Sequence, residues 1–198
     1  MHNHKPQIIT SLSKSITRLP GIGPRLAKKI SYYLLSNKKL LKEVVEKLTD
    51  ANNLIRICSI CRNFSEQDLC EICSQDRNKD ILCIVKEHSD LYFLEDTKTY
   101  NGYYYILGIN FSPSSLAASD HIDAIKRMII KFNIKEIILA LPISIEGNTL
   151  TYYIAETLKD FNIKITNLAM GIPIGADFEY IDTQTLSASL KYRQEIVR

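Results

Sequence analysis

Cys58-Ser-Ile-Cys61 and Cys70-Glu-Ile-Cys73 are two short cysteine motifs separated by eight residues, and they decide how this chain folds. Each pair forms a turn that directs two sulfur atoms inward, and two pairs at this spacing can surround one tetrahedral metal ion. The intervening loop is polar except for Phe64 and Leu69, so it has no hydrophobic core of its own. The motif therefore predicts a zinc ion that supplies folding free energy. Four thiolates leave no open coordination position, which indicates a structural site.

Two disulfides or a dithiol redox site are the alternative interpretations of these cysteines. The first residues, Met-His-Asn-His-Lys-Pro, contain no apolar segment of a secretory signal, and no apolar run reaches the length of a membrane span. These observations favour a cytoplasmic location with no membrane partner, where thiols bind metal ions. The fifth cysteine, Cys83, lies in the apolar run 81–85, which predicts a buried and unreactive thiol.

Charge is distributed unevenly along the chain. The chain has 198 residues and is 45% hydrophobic, a length and composition that suit one main domain and a smaller one. Its net charge is +3. Residues 1–50 contain ten Lys or Arg against three Asp or Glu, a balance of +7, so the remainder of the chain carries −4. This asymmetry indicates an N-terminal surface for a polyanion, although a solvated helical surface is an alternative explanation.

A glycine-rich turn, Leu19-Pro-Gly-Ile-Gly-Pro24, separates two predicted helices. Its glycines permit a tight turn and a close approach of the backbone to a ligand, and its second proline suits the first turn of the next helix. The backbone amides of a helix start and nearby cations favour a phosphate ligand. The alternative is a turn that only joins two helices. We predict DNA contacts at six residues: Arg18, Gly21, Gly23, Arg25, Lys28 and Lys29.

Helical periodicity predicts three helices in the N-terminal part, at 8–17, 24–35 and 38–57. The second helix has an apolar stripe of Leu26, Ile30, Tyr33 and Leu34, which predicts its inward face. The third helix has apolar positions at helical spacing: Leu41, Val44, Val45, Leu48, Ala51 and Ile55.

After Cys73 the predicted strands alternate with predicted helices. The strands are predicted at 81–85, 103–109, 136–141 and 164–168, and the helices at 90–95, 120–132 and 148–161. This alternation predicts an α/β fold with a mainly parallel sheet covered on both faces.

Further markers follow in order: Ile137-Ile-Leu-Ala140 leading to Glu146-Gly147, then Tyr153-Ile-Ala-Glu156 and Gly171-Ile-Pro-Ile-Gly175. Together with the glycine turn and the cysteines, they resemble the RecR family of bacterial recombination mediators over nearly the whole chain. The resemblance implies a helix-hairpin-helix DNA-binding module at 1–57 and a zinc knuckle at 58–73. It also implies a Toprim-like domain at 80–175, and at 176–198 a C-terminal assembly element similar to a Walker B segment.

The same resemblance implies a function in recombinational DNA repair. Subunits would assemble into dimers and ring-like tetramers that encircle DNA without reading its sequence, whether the DNA is single-stranded, double-stranded or gapped. RecO and RecF would be the partner proteins in loading RecA onto single-stranded gaps. Such a protein is cytoplasmic, and it is associated with the nucleoid when bound to DNA.

The chain departs from catalytic Toprim domains, which hold Mg²⁺ with a Glu after the first strand and an Asp-x-Asp after a later one. The first position holds Lys86, with Glu87 one residue later, and the second motif falls on Pro142 and Ser144. We therefore expect a scaffold and not an enzyme. Glu146 is then either a contact for a partner protein or a helix cap. The alternative is a Mg²⁺-dependent nuclease or primase-like enzyme that uses the two glutamates.

Two other functions receive no support from sequence motifs. The chain has no GxxxxGK[ST] phosphate loop, so we do not expect ATP hydrolysis. Separately, the segment 112–119 stands where family members carry an acidic turn, so we do not carry the role of that turn over to this chain. A zinc-containing transcription regulator would need base-specific contacts, and no stretch of the chain obviously supplies them.

Overall fold

The structure, a computed structural model, describes residues 6–115, 118–169, 171–193 and 195. It divides into two compact units, Met1–Ile55, here called the helical unit, and Arg56–Arg198, the α/β unit. Residues 51–55 carry no charge, so the helical unit holds the +7 and the α/β unit the −4. Within the described ranges, no helix is long and apolar enough to cross a membrane.

The helical unit consists of α1 (Gln7–Thr17), α2 (Pro24–Ser36) and α3 (Lys38–Leu54). α2 begins at Pro24, whose missing N–H costs no hydrogen bond in the first turn. α1 packs against α2 through small residues, since Ser13 Oγ donates to the buried Ser31 Oγ at 2.9 Å. Asn37 caps α3, because its side-chain oxygen accepts from Leu40 N at 3.1 Å.

The predicted inward face of α2 was wrong in part, and the apolar stripe of α3 is not buried. The buried residues of α2 are Ala27 and Ser31, whereas Leu26 and Tyr33 are exposed. No described residue of α3 is buried, and Leu48 is exposed. α3 also ends before residue 57, because residues 56–57 pair as a strand. Helical periodicity identifies an apolar face, but it does not show what covers that face.

The α/β unit contains two sheets. β1 and β2 form a short antiparallel hairpin, and the larger sheet has the order β4-β3-β5-β6 with every neighbouring pair parallel. This confirms the predicted α/β class and the parallel sheet. The strands are β1 (Arg56–Ile57), β2 (Phe64–Ser65), β3 (Asn78–Val85), β4 (Gly102–Ile106), β5 (Glu136–Ala140) and β6 (Lys164–Asn167).

Helices connect the parallel strands, as a parallel sheet requires. They are α4 (His88–Asp96), α5 (Ala118–Phe132) and α6 (Ile145–Thr157), followed after β6 by a 3₁₀ helix (Phe178–Tyr180) and α7 (Thr183–Lys191). The described part of 176–198 therefore contains helical elements and no strand, so the Walker B likeness remains one of sequence. Residues 116 and 117, within the segment predicted to depart from the family, lie outside the described residues.

The core of the α/β unit lies around β3 and β4, which are neighbours in the larger sheet. Residues 82–85 of β3 and all of β4 are buried. Successive side chains of a strand point to opposite faces, so a strand that is buried throughout is covered on both sides. The apolar runs of the sequence thus become the centre of the fold.

The buried side chain of Arg77 contacts both α4 and β4. Arg77 is 5% exposed, and its Nη1 and Nη2 atoms donate to the two carboxylate oxygens of Glu95 at 3.0 and 2.6 Å. Its Nε donates to the backbone oxygen of Gly102 at 2.8 Å, and its guanidinium lies 5.6 Å from the ring centre of Tyr104. Burial opposes the charged form, but the hydrogen bonds and charge of Glu95 outweigh it and raise the pKa of Arg77.

Candidate metal centre and nucleic-acid interface

The four predicted ligands come together in the α/β unit. Cys58, Cys61, Cys70 and Cys73 are buried, and their Sγ atoms all lie within 4.8 Å of one another. The Sγ atoms of Cys61 and Cys70 are 3.5 Å apart, and none of the four forms a disulfide. Sulfur atoms bound to one tetrahedral zinc ion lie roughly 3.8 Å apart, since each is about 2.3 Å from the metal. The donor set and its spacing fit zinc.

The first cysteine pair is held by a turn of its own backbone. Arg62 N donates to Cys58 O at 3.1 Å, and Cys58 N donates to Asn63 O at 2.8 Å. Arg62 adopts a left-handed conformation, with φ of 67°, which closes the turn. Asn63 N then donates to the sulfur of Cys61 at 3.4 Å. The backbone thus orients the first two ligands.

Polar residues of the loop close the second half of the site. Ser59 N donates to the backbone oxygen of Asp68 at 3.0 Å, and Ser59 Oγ donates to Asp68 Oδ2 at 3.0 Å. Beyond this bridge, Ser65 Oγ donates to Leu69 O at 3.0 Å. Hydrogen bonds therefore hold the polar residues of this loop in place.

Crowding of the four thiols shifts their pKa values in opposite directions. Hydrogen bonds from the other thiols, first that of Cys61, lower the pKa of Cys58. At Cys70 the hydrogen bond with Cys58 raises the pKa, but those with Cys61 and Cys73 outweigh it and lower the pKa to about 6. Hydrogen bonds with Cys58 raise the pKa of Cys61 and of Cys73. The four thiols thus compete for their protons, and a divalent cation would remove this competition.

The zinc knuckle packs against the larger sheet. Ile106 N, at the end of β4, donates to Cys61 O at 2.9 Å, and Tyr92 OH on α4 donates to the Asn63 side chain at 3.2 Å. The cysteines belong to the same buried cluster as the strands. These contacts make the site part of the α/β core.

All six residues predicted to bind DNA lie in the helical unit and are exposed. Gly21 has a φ of 76°, a left-handed conformation that glycine adopts without strain. Gly23 is the N-cap of α2, so the first backbone amides of α2 have no helical partner. Arg25 and Lys29 follow one turn apart on the same helix.

The structure places Arg18 and Lys28 along one groove between α1 and α2, and it adds Lys14 to them. Sequence reasoning did not single out Lys14, which lines this groove. The available signal was its position on α1, four residues before Arg18 and on the same side of the helix.

The first degenerate Toprim position, Lys86, forms an ion pair with Glu146. Lys86 Nζ, just beyond β3, donates to Glu146 Oε1 at 3.2 Å. Glu146 does not cap α6, because that helix begins at Ile145 and Ser144 Oγ accepts from Gly147 N at 3.0 Å. The side chain of Glu146 is 68% exposed. It is therefore held at one end of the sheet and accessible from solvent.

Two backbone features restrict this region further. A Cβ atom at Gly147 would lie 1.8 Å from the backbone oxygen of Pro142, so only glycine fits beside Glu146. Glu87 is the N-cap of α4, and its backbone N–H donates to Asp90 Oδ2 at 2.8 Å.

Among the described residues, the four cysteines are the only group of three or more His, Cys, Asp or Glu side chains placed closely enough to share a metal ion. Glu87 and Glu146 do not belong to such a group.

Comparison with known proteins assigns the three parts of the α/β unit. The four-cysteine zinc finger domain of RecR matches residues 55–75, which include all four cysteines, and the Toprim domain matches residues 80–169. The RecR C-terminal domain matches residues 171–194. The four cysteines therefore form a structural zinc site.

Whole-chain relatives agree with these matches. Recombination protein RecR of Desulfitobacterium hafniense (strain DSM 10664 / DCB-2) is 32% identical over 192 residues, which cover 96% of this chain and 97% of that protein. Recombination protein RecR of Geobacter metallireducens is 33% identical over 187 residues, 93% of this chain and 95% of that protein. The chain is similar to these RecR proteins over almost its whole length, and it has the zinc finger and the Toprim domain of that family. It therefore belongs to the RecR family.

Proposed function

We propose that this protein is a DNA-binding mediator of recombinational repair, which acts as an oligomeric clamp and adaptor and catalyses no reaction. Its family relatives are recombination proteins. The observation that carries the proposal is the charge of the helical unit, which is +7 overall and contains no acid before Glu43. A surface of one sign attracts a polyanion and binds it without reading its sequence.

The glycine turn is the proposed phosphate contact. The first N–H groups of α2 lack helical acceptors, and the positive end of the helix dipole adds to their potential. A Cβ atom placed at Gly21 or Gly23 would meet no neighbouring atom within 4 Å, so the turn is open and a DNA backbone can approach it closely. Exposed Arg25 and Lys29 supply positive charge directly behind it. Such contacts position a protein on single-stranded, double-stranded or gapped DNA alike.

The α/β unit has a different proposed role, in assembly with other proteins. Its net charge is −4, so it does not attract DNA in the way that the helical unit does. We propose that its Toprim sheet is a scaffold and that Glu146 contacts a partner protein. The pair with Lys86 and the tight approach at Gly147 support this role, because they fix an exposed carboxylate in one place. RecO and RecF are the proposed partners, self-association into dimers and tetramers gives the clamp, and loading of RecA is the outcome.

Replacing two cations of the turn tests the DNA contact. We expect the Arg25→Ala, Lys29→Ala double variant to bind DNA more weakly and to lower the slope of log affinity against log salt by about 2, one for each lost phosphate contact. Fluorescence anisotropy with a labelled oligonucleotide at several salt concentrations measures both quantities.

The matched control is the Lys38→Ala, Lys39→Ala double variant. It removes the same charge from exposed positions of the same unit, at the start of α3 and away from the turn. We expect it to keep more of the affinity than the first variant. Equal losses in the two variants would show general attraction to a basic unit, and an unchanged slope in the first variant would overturn the proposed contact.

A further inference from the structure

The strand order of the larger sheet reverses between β3 and β5. From β3 the chain continues to β4 on one side, and it then crosses to β5 on the other side. Open α/β sheets bind their ligands outside the carboxyl ends of the strands at such a point. Lys86 is the first residue after β3, and Glu146 lies in the first turn of α6, which follows β5. These two residues therefore lie where a ligand of the sheet is expected.

The side chain of Lys86 is held in this position. Its backbone oxygen accepts from Gly108 N at 2.8 Å, two residues beyond β4, so its main chain is fixed to the neighbouring strand. The side chain is only 15% exposed, and its Nζ atom lies 3.2 Å from Glu146 Oε1. A largely buried ammonium costs free energy unless a carboxylate compensates it. The ion pair is therefore part of how this end of the sheet is built.

The residues at this end of the sheet do not fit a Mg²⁺ ion. Catalytic Toprim domains hold the ion with acids at the positions that are Lys86, Pro142 and Ser144 here. Ser144 Oγ accepts from Gly147 N at 3.0 Å, as the cap of α6. One carboxylate, that of Glu146, is then left, and the ammonium beside it repels a second cation.

We propose that the Lys86 ammonium takes the place of the divalent cation of Toprim sheets. It neutralises Glu146 and joins the end of β3 to the start of α6, as a metal ion does when carboxylates follow both strands. The surface around Glu146 then keeps the same shape and charge with or without Mg²⁺. This inference is independent of the proposed DNA binding and of the proposed partner proteins.

Replacing Lys86 by an acid tests the inference. Lys86→Glu removes the ammonium and adds a carboxylate opposite Glu146, so we expect it to create a divalent-cation site. For a dissociation constant of about 1 mM, about 10 mM Mn²⁺ should raise the Tm of this variant by about 3–6 °C. The Tm of the wild type should not change at the same ionic strength. Circular dichroism measures both, in buffers without a chelator, because a chelator would remove the zinc ion.

Lys135→Glu is the matched control. Lys135 lies 2.8 Å from Asp80 at the opposite end of β3, and the pair is largely exposed, so this variant makes the same charge reversal beside an acid. We expect Mn²⁺ to leave its Tm unchanged, and the double variant Lys86→Glu, Glu146→Gln to lose the response. Equal responses of the Lys86→Glu and Lys135→Glu proteins would overturn the inference. So would a Lys86→Glu protein that Mn²⁺ does not stabilise, including one that stays unfolded with Mn²⁺ present.

A measurement on the wild type does not depend on the folding of Lys86→Glu. Free Mn²⁺ gives an electron paramagnetic resonance signal that decreases when the ion binds to protein. We expect equal signals with the wild type and with Glu146→Gln at the same protein and Mn²⁺ concentrations. A lower signal with the wild type would show that Glu146 binds the ion beside Lys86, and it would overturn the inference.

Discussion

Cys58→Ser is expected to lose the zinc ion and to unfold the knuckle together with part of the α/β core. Apparent binding free energies of structural zinc are about 10–16 kcal/mol in zinc-finger peptides, as large as the roughly 5–15 kcal/mol that stabilises a whole domain. The cysteines are buried among the strands, and Cys61 O accepts a hydrogen bond from the end of β4, so the sheet loses contacts when the knuckle opens. Zinc content per chain and circular dichroism in urea are the measurements.

Cys83→Ser is the matched control for this variant. Cys83 is also buried, in the middle of β3, but it is not among the four clustered thiols, and burial raises its pKa to about 12. The same chemical change there should leave one zinc ion per chain, even if a buried hydroxyl costs some stability. A Cys58→Ser protein that retained stoichiometric zinc and wild-type stability would show that the knuckle does not depend on this ligand.

Arg77→Met is expected to cost about 3–5 kcal/mol of unfolding free energy, because it leaves the carboxylate of Glu95 without its partner. The substitution also removes a hydrogen bond, because Arg77 Nε donates to Gly102 O at the start of β4. For a unit of this size, this corresponds to a fall in Tm of about 10 °C. Thermal and urea unfolding followed by circular dichroism measure the effect, which should appear with zinc still bound.

Two further variants define the origin of that cost. The double variant Arg77→Met, Glu95→Leu should be more stable than the single variant, because no unpaired charge is left. Lys135→Met breaks an ion pair of 2.8 Å with Asp80 in which the lysine side chain is 65% exposed, and it should cost less than about 1 kcal/mol. If Arg77→Met cost no more than Lys135→Met, the buried pair would not be a main support of the fold.

The parallel sheet and the zinc ligands could be predicted because their signals are local. The apolar run 81–85 lies between polar segments and became the buried half of β3, and the later runs alternate with amphipathic helices. Paired cysteines fix their own geometry, because each CxxC turn needs only the residues within it. The four ligands therefore followed from the sequence without knowledge of the fold around them.

Contacts between distant residues could not be predicted in this way. Lys86 and Glu146 lie 60 positions apart, so no local pattern links them, and only the neighbouring positions of β3 and β5 bring them together. The hairpin of β1 and β2 was also missed, because strands of two residues have no periodicity. The exposed side chains of Leu26 and Leu48 show the same limit. An apolar stripe on a helix follows from the order of residues in the sequence, but it does not show which residues of other elements pack against it.

Retention on circular DNA tests the proposed clamp most directly. The wild-type protein is bound to a gapped DNA circle, the salt concentration is raised until phosphate contacts are weak, and the bound protein is measured before and after the circle is cut. A clamp that encloses DNA should remain on the closed circle and leave once free ends are created. Equal release from circular and linear DNA at the same salt concentration would contradict the clamp and leave only surface binding by the basic helical unit.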